Sequence, residues 1–336
     1  MKRLSLALAL LAALTALASA DSGPGKTSLE LQADYKFPNH AAVDSSGFAP
    51  IDYSVYNEAS ATERNVGSTW GGGELKAILD YKLAFPALVG DGPLTSGNNL
   101  SLDFAGEVSP VSLNANAQVT LTPIAFLKFA AGVGIGTGWD IGFIGLAMNN
   151  AGVLDIQNFG GCIYRAWVEG TFQFDLAALM PGDWNHIVVL ASPKIQYQAY
   201  SRASDSQAWL WEADDGMNFN GLKLTGSYFL GYQMPIALET VGLLLQPEGW
   251  LGSVRDMAPS DGSKALKWGS DFTYLTFGPL FDLRIDGGSS IAILPQFKTG
   301  IKWTDTTTMR LNFQQRVYEA PFVYFYRVAF DYTLKL

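Results

Sequence analysis

The chain has 336 residues and a net charge of −9; only 16% of residues are charged, 13% are aromatic and 35 are glycine. A soluble domain carries about 25% charged residues, and the acidic balance argues against a nucleic-acid partner. The single cysteine, Cys162, rules out an internal disulfide framework.

Residues 1–20 read as a secretory signal peptide. Lys2 and Arg3 form a basic head, 4–18 is a Leu/Ala-rich run too short to cross a bilayer comfortably, and Ala18-Ser19-Ala20 supplies a small-x-small cleavage site. A single domain, 21–336, then begins at Asp21. Losing the two basic residues of the leader takes its net charge from −9 to −11. No later apolar run is long enough for a spanning helix, since the most apolar stretch, 126–154, is broken by Lys128, Asp140 and several glycines.

Period-two alternation then dominates. In 29–37, Leu29, Leu31, Ala33, Tyr35 and Phe37 share one face, and Glu30, Gln32, Asp34 and Lys36 share the other. Charged side chains in that number cannot face a dry core without partners, but they can face a wet lumen while the apolar face meets lipid. The pattern recurs at 75–85, 100–108, 111–122, 126–139, 162–176, 187–201, 219–234, 236–246, 270–286, 290–303, 308–318 and 321–336. Long connections at 38–73, 140–161, 202–218 and 247–269 alternate with short ones at 86–98, 123–125, 177–186, 235 and 286–289, with Ser109-Pro110 as one tight outer turn. Both termini on one side require an even count. With 308–318 in the last outer loop, the chain predicts an all-β, antiparallel transmembrane barrel of 12 strands. Fourteen follow if 38–73 hides a hairpin. A soluble periplasmic β-protein is the structural alternative.

The last segment places Tyr324, Tyr326, Val328, Phe330, Tyr332, Leu334 and Leu336 on an aromatic-rich face, opposite Arg327, Asp331, Thr333 and Lys335. It resembles the C-terminal strand of bacterial outer-membrane proteins, in which the final residue is usually Phe; here it is Leu336. The resemblance implies the outer membrane as location, its bilayer as surroundings, and the barrel-assembly machinery as a partner reading Tyr332, Leu334 and Leu336.

On this register the lumen face carries Lys76, Asp80, Lys82, Lys128, Arg165, Glu169, Lys194, Lys298, Arg327 and Asp331, with Lys36, Lys223, Lys302, Asp103, Glu107 and Asp175. Gly132, Gly134, Gly136 and Gly138 share that face. Thr137 stands where a nucleotide loop needs its third glycine, so the stripe reads either as wall curvature or as a groove receiving an inward-folded loop. Histidine is nearly absent. His40 falls in an outer loop and His186 beside an inner turn, neither next to a serine motif, so no enzyme and no cofactor are expected. Asp205, Glu212, Asp214 and Asp215 lack the spacing of a calcium loop. Cys162 reads as a small buried residue. Tyr35, Tyr81, Trp139, Tyr164, Trp268, Trp303 and Tyr324 fit interfacial girdles. Pro193, Pro279 and Pro295 fall inside strands, where a closed barrel has no free edge for them; they must sit at bulges, or the strand boundaries are shifted.

Two functions fit. One is a passive, porin-like channel for small hydrophilic solutes. Its outer-loop acids, among them Asp44, Asp52, Glu58, Glu63, Asp256 and Asp261, would draw cations to the mouth. The other is a closed, structural or adhesin-like barrel whose loops, with Trp209 and Trp211, bind a partner.

Overall fold

The computed structural model describes residues 25–36, 72–142, 145–150, 153–205, 207–212, 218–257, 269–305 and 316–336. The leader, His40 and Trp268 therefore lie outside the described residues, as do Asp214 and Asp215.

The strands, in chain order, are β1 (Gly25–Lys36), β2 (Gly72–Pro86), β3 (Asn99–Val108), β4 (Ser112–Ile124), β5 (Leu127–Gly138), β6 (Leu146–Asn150), β7 (Val153–Ile156), β8 (Ile163–Asp175), β9 (His186–Tyr200), β10 (Trp209–Trp211), β11 (Gly221–Gln233), β12 (Leu238–Trp250), β13 (Tyr274–Arg284), β14 (Ser289–Asp305) and β15 (Arg316–Lys335). Twelve of them close into one antiparallel barrel, in which each pairs with its barrel neighbours and β1 seals against β15. β1 also pairs directly with β2, so the barrel has twelve strands and not fourteen; the segment 38–73 suggested to hide a hairpin lies almost wholly outside the described residues. Closure satisfies every edge, which a strand wall in lipid requires. The remaining three strands, β10-β6-β7, form a small separate sheet from two of the long connections. Alternation did not predict it.

The alternating sequence sets which face is which. Leu75, Val133, Val168, Leu230, Leu243 and Val323 stand on the outer face, between 47% and 59% exposed. An apolar belt around a whole cylinder is far larger than the patch of a few hundred Å² that a soluble surface tolerates, but it matches a hydrocarbon band. The short turns, at 125–126, 234–237 and 285–288, lie at the end of the barrel that also holds Gly25 and Lys335.

The prolines sit where the ladder is interrupted. Between β8 and β9, pairing skips from Glu169↔Lys194 to Phe172↔Ala191, across Pro193. Between β11 and β12 it skips past Pro247, and between β13 and β14 past both Pro279 and Pro295. Proline has no N–H to donate, so each gap is the local cost of its ring. The register is the same on both sides of each gap, so these interruptions are not bulges. Several strand boundaries read from sequence shift: β12 runs on to Trp250, β13 spans only Tyr274–Arg284, and β15 begins at Arg316, inside the segment assigned to the last outer loop.

One register call is corrected. Pairing of β14 with β15 shifts between Gln296↔Arg327 and Phe297↔Phe325, leaving an extra residue in β15. Such a bulge reverses side-chain parity above it. Val323 and Phe325 consequently join the outer face, with Phe325 packed edge-on against Phe297. Tyr324 pairs with Lys298, and the Lys298 ammonium lies 4.8 Å from the Tyr326 ring. Tyr324 and Tyr326 thus do not share the face of Phe330 and Tyr332.

Candidate functional site

The chemistry of this molecule is concentrated on the inside of the barrel, and its glycines organise it. Adjacent strands lie about 4.8 Å apart, so side chains on strands once removed meet only if the strand between carries none. Gly134 on β5 lets Arg165 Nη2 on β8 donate to Asn116 Oδ1 on β4 at 3.0 Å. Gly132 lets Trp167 Nε1 reach Gln118 Oε1 at 2.8 Å in the same way. On the opposite wall Gly278 separates Gln246 from Gln296, and Gln296 Nε2 donates to Gln246 Oε1 at 3.1 Å. A Cβ on Gly132 would fall 2.3 Å from the Trp167 ring, and one on Gly134 would fall 2.3 Å from Asn116 Oδ1.

Gly136 and Gly138 receive a loop. A Cβ on Gly136 would stand 2.8 Å from the Trp211 ring, and one on Gly138 would stand 2.8 Å from the Gly145 carbonyl oxygen. The small sheet carries this loop inward. β10 pairs with β6, and Leu146, Met148 and Trp209 pack with Ile163 and Tyr200 into a buried cluster. Trp211 then projects beside the wall, where the Arg165 guanidinium lies 4.7 Å from its ring centre. The inward-folded loop is therefore the correct account of the upper two glycines, and bridging side chains account for the lower two.

Glu212 fixes the tip. Its carboxylate accepts from Ser112 Oγ at 2.6 Å, Asn114 Nδ2 at 3.0 Å and Lys76 Nζ at 3.1 Å, and its backbone N–H donates to Gly145 O at 2.8 Å. Glu74 and Glu107 complete the cage around Lys76, at 3.7 and 3.8 Å. Burial pushes the Glu212 carboxyl up, but the Lys76 charge and the bonds from Ser112, Lys76 and Asn114 outweigh it, so it titrates below its ordinary 4.5. The backbone of Glu212 holds φ at 57°, a region that non-glycine residues rarely occupy. The network sustains that conformation.

On the other side of the lumen the described residues line a group of cavities. A cavity of 420 Å³ is lined by Lys194, Ser227, Gln246, Lys298, Tyr326 and Arg327, among others. A second, of 180 Å³, shares Gln246 and Arg327 with it and reaches Asp34, Gln296 and Asp331. A third, of 340 Å³, shares Asp331 and runs along Leu190, Phe229, Leu244, Leu280 and Asp282 toward the short-turn end. Arg327 stands at the junction of the first two. Its Nη1 donates to Asp34 Oδ2 at 2.7 Å and its Nε to Gln296 Oε1 at 2.6 Å.

The sequence-predicted residues thus divide. Lys76, Gly136 and Arg165 meet around the inward loop. Lys194, Lys298 and Arg327 line the first cavity together with Glu169, and Asp331 joins the other two. Lys82 forms a peripheral pair with Asp103 at 3.0 Å, and Lys128 stands opposite Thr171 near a short turn. Asp80 pairs with Ser28 and Ala105, outside both groups. The side chains of Lys36 and Lys302 lie outside the described residues. Cys162 is half-buried at the foot of a loop, not core; its neighbour Ile163 takes the core position. Trp139 is buried at 4% exposure, stacked on Phe159 and donating to Pro110 O, so it belongs to the loop sheet rather than to an interfacial girdle. His186 Nδ1 lies 2.6 Å from Asp175 Oδ2. Glu212, read from sequence only among loop acids that lack calcium-loop spacing, is the loop-anchoring residue that sequence reasoning missed. The neighbouring Trp-Leu-Trp run was its one available signal.

No family model matches the chain, and no curated protein matches it. Solved structures do. The COG4313 outer membrane channel from Pseudomonas putida F1 is 8% identical, with a TM-score of 0.44 over 94% of this chain and 97% of that one. The KdgM porin is 8% identical with a TM-score of 0.37, over 92% of this chain and 99% of that one. The NanC porin gives the same identity and TM-score over 92% of this chain and 100% of that one. The chain is thus similar, in being a closed strand barrel, to porins and channels of bacterial outer membranes.

Proposed function

We propose that this protein is an outer-membrane channel, exported by the leader at 1–20, through which small hydrophilic solutes pass passively. The observation that carries the reading is the succession of three cavities along one inner wall, which share Gln246, Arg327 and Asp331 among their lining residues. A barrel made only to stiffen a membrane would gain by filling that wall as it fills the other. The bilayer meets the outer apolar belt, and the assembly machinery reads the last strand through Tyr332, Leu334 and Leu336. The loop tip at Trp211 and Glu212 narrows the path. No cofactor and no enzymatic step enter this reading.

The test is single-channel recording of the purified protein in planar bilayers. Stable ohmic steps support the channel. Insertion without conductance overturns it and leaves the closed, loop-binding barrel. Deleting residues from Phe322 onward should yield an exported chain that never becomes heat-modifiable, because two open edges would remain in lipid.

A further inference from the structure

We infer that the 340 Å³ cavity toward the short-turn end is a binding site for a small amphipathic amine, an ammonium group on a compact apolar body, travelling through the lumen. The inference rests on the channel reading and adds a solute class to it.

This stretch of the inner wall is not polar. Leu190 on β9, Phe229 on β11 and Leu244 on β12 lie in register across three neighbouring strands, and Leu280 on β13 stands diagonal to them. All four line the cavity. The Phe229 ring lies over Gly231 and Gly242, where an added Cβ would fall 2.2 and 2.5 Å from it. The lumen of a water-filled barrel is ordinarily polar, and apolar area left in water is unfavourable. Four large apolar side chains facing one cavity form a surface that an apolar body would cover.

Two carboxylates stand beside this row. Asp282 on β13 and Asp331 on β15 both pair with Ala292 on β14, so only a methyl group lies between them along the wall. Both line the cavity, and Oδ1 of each is buried with no hydrogen-bond partner among the described residues. Leaving such an oxygen unmet is costly. An ammonium carries three donors and can meet both.

Negative charge is in excess here. Glu30 on β1 is hydrogen-bonded to Asp331, which places one shared proton between the two. With Asp282, three carboxyl groups then carry two negative charges. Lys335 is the cation that acts on Asp282, without forming an ion pair with it among the described residues. Arg327 is held by Asp34 and Gln296, and Arg284 lies beside Glu239. The form of the wall narrows the cation. Among the described residues no group of three or more acidic, histidine or cysteine side chains is placed to hold a metal ion, and the apolar row supplies none of the oxygen ligands that a hard cation needs. An organic ammonium uses both surfaces, its head on the carboxylates and its body on the row. The volume lies within the range of about 300–1,000 Å³ usual for small-ligand sites.

The experiment adds benzylammonium chloride to the intact protein conducting potassium chloride in a planar bilayer. Benzylammonium should reduce the current saturably. Methylammonium, which has the head without the body, and benzyl alcohol, which has the body without the head, should each block less. Asp331→Asn should raise the half-blocking concentration about tenfold, the value of one charge-assisted hydrogen bond, and Asp282→Asn, a second independent variant, should weaken block too. Leu244→Ala should weaken benzylammonium about threefold through lost apolar contact and leave methylammonium unchanged. A conducting channel indifferent to benzylammonium, or blocked as well by benzyl alcohol or methylammonium, overturns the site while the channel stands. If the protein does not conduct, the channel reading falls. Calorimetric titration of benzylammonium into the detergent-solubilised barrel then decides the site alone: heat that is lost in Asp331→Asn supports it, and no heat, or heat unchanged in that variant, overturns it.

Discussion

Among the described residues, the two halves of the lumen are built from the same alternating strands, yet one is packed by a loop tip and the other is lined by cavities. Along β2–β5 and β8, glycines admit a loop tip and side chains that hydrogen-bond across them. Along β9 and β11–β15, inward residues leave a row of cavities. The difference teaches that period-two patterning decides the wall, whereas the occupancy of the interior is decided by a handful of residues that patterning does not distinguish. Gly136 and Gly278 both face inward on mid-barrel strands. One accepts Trp211, and the other accepts only the Gln246–Gln296 bridge.

The largest expected effect tests what the halves share. Val133→Arg, outside the filled half, and Leu230→Arg, outside the open half, should each cost about 2–4 kcal/mol if they lie near midplane. Urea unfolding in lipid vesicles reads this directly. A mild effect at either site would mean that side does not face lipid.

Next, Gly136→Leu should cost about 1–3 kcal/mol by overpacking and expel Trp211. The open half should be untouched, so conductance should rise. If conductance falls, the path runs through the loop side instead.

Glu212→Gln should weaken the loop anchor by about 1–3 kcal/mol, since Lys76 would lose its charged partner. Frequent current fluctuations and faster protease cleavage after β10 are the readouts. Acid should mimic this variant. A carboxyl whose folded value is depressed contributes stability above its unfolded value and loses it as pH falls through the folded one. The anchor should hold at neutral pH and give way only below the ordinary 4.5. Fluctuations already present at pH 6 in the wild type would sink that account.

The smallest effect is expected at Lys82→Gln. Its pair with Asp103 is 46% exposed on the lysine side, and such pairs contribute within about 1 kcal/mol. Loop protection and conductance should not change.

The barrel was legible because its signal is redundant. Each of the twelve strands repeats the same in–out alternation, and the connection lengths fix the even count. The loop sheet was not legible, because its strands are short and apolar. Leu146-Ala147-Met148 and Trp209-Leu210-Trp211 bury both faces, so they show no alternation. The β15 bulge was hidden for a related reason. A one-residue insertion in a run of aromatics leaves a pattern that looks continuous in either register. Within the candidate site, the cations of the open wall could be listed from alternation. Their aromatic seats, Trp167 and Tyr274, could not, because alternation shows which face a side chain takes but not which residue of the neighbouring strand it meets.

The proline interruptions have a mechanical meaning. Ladders from β1 through β5 to β8 run without a central break, whereas those at β8–β9, β11–β12 and β13–β14 each lose bonds at mid-height. The cylinder is therefore stiff over one arc and creased over the other, and the creases run past Ser192, Ser227 and Gln246, beside the 420 Å³ cavity. A passing solute that needs more width would find it by flexing that arc, with the loop-braced arc acting as the fixed jaw. Backbone amides flanking the creases should exchange with solvent well before those of β3 and β4.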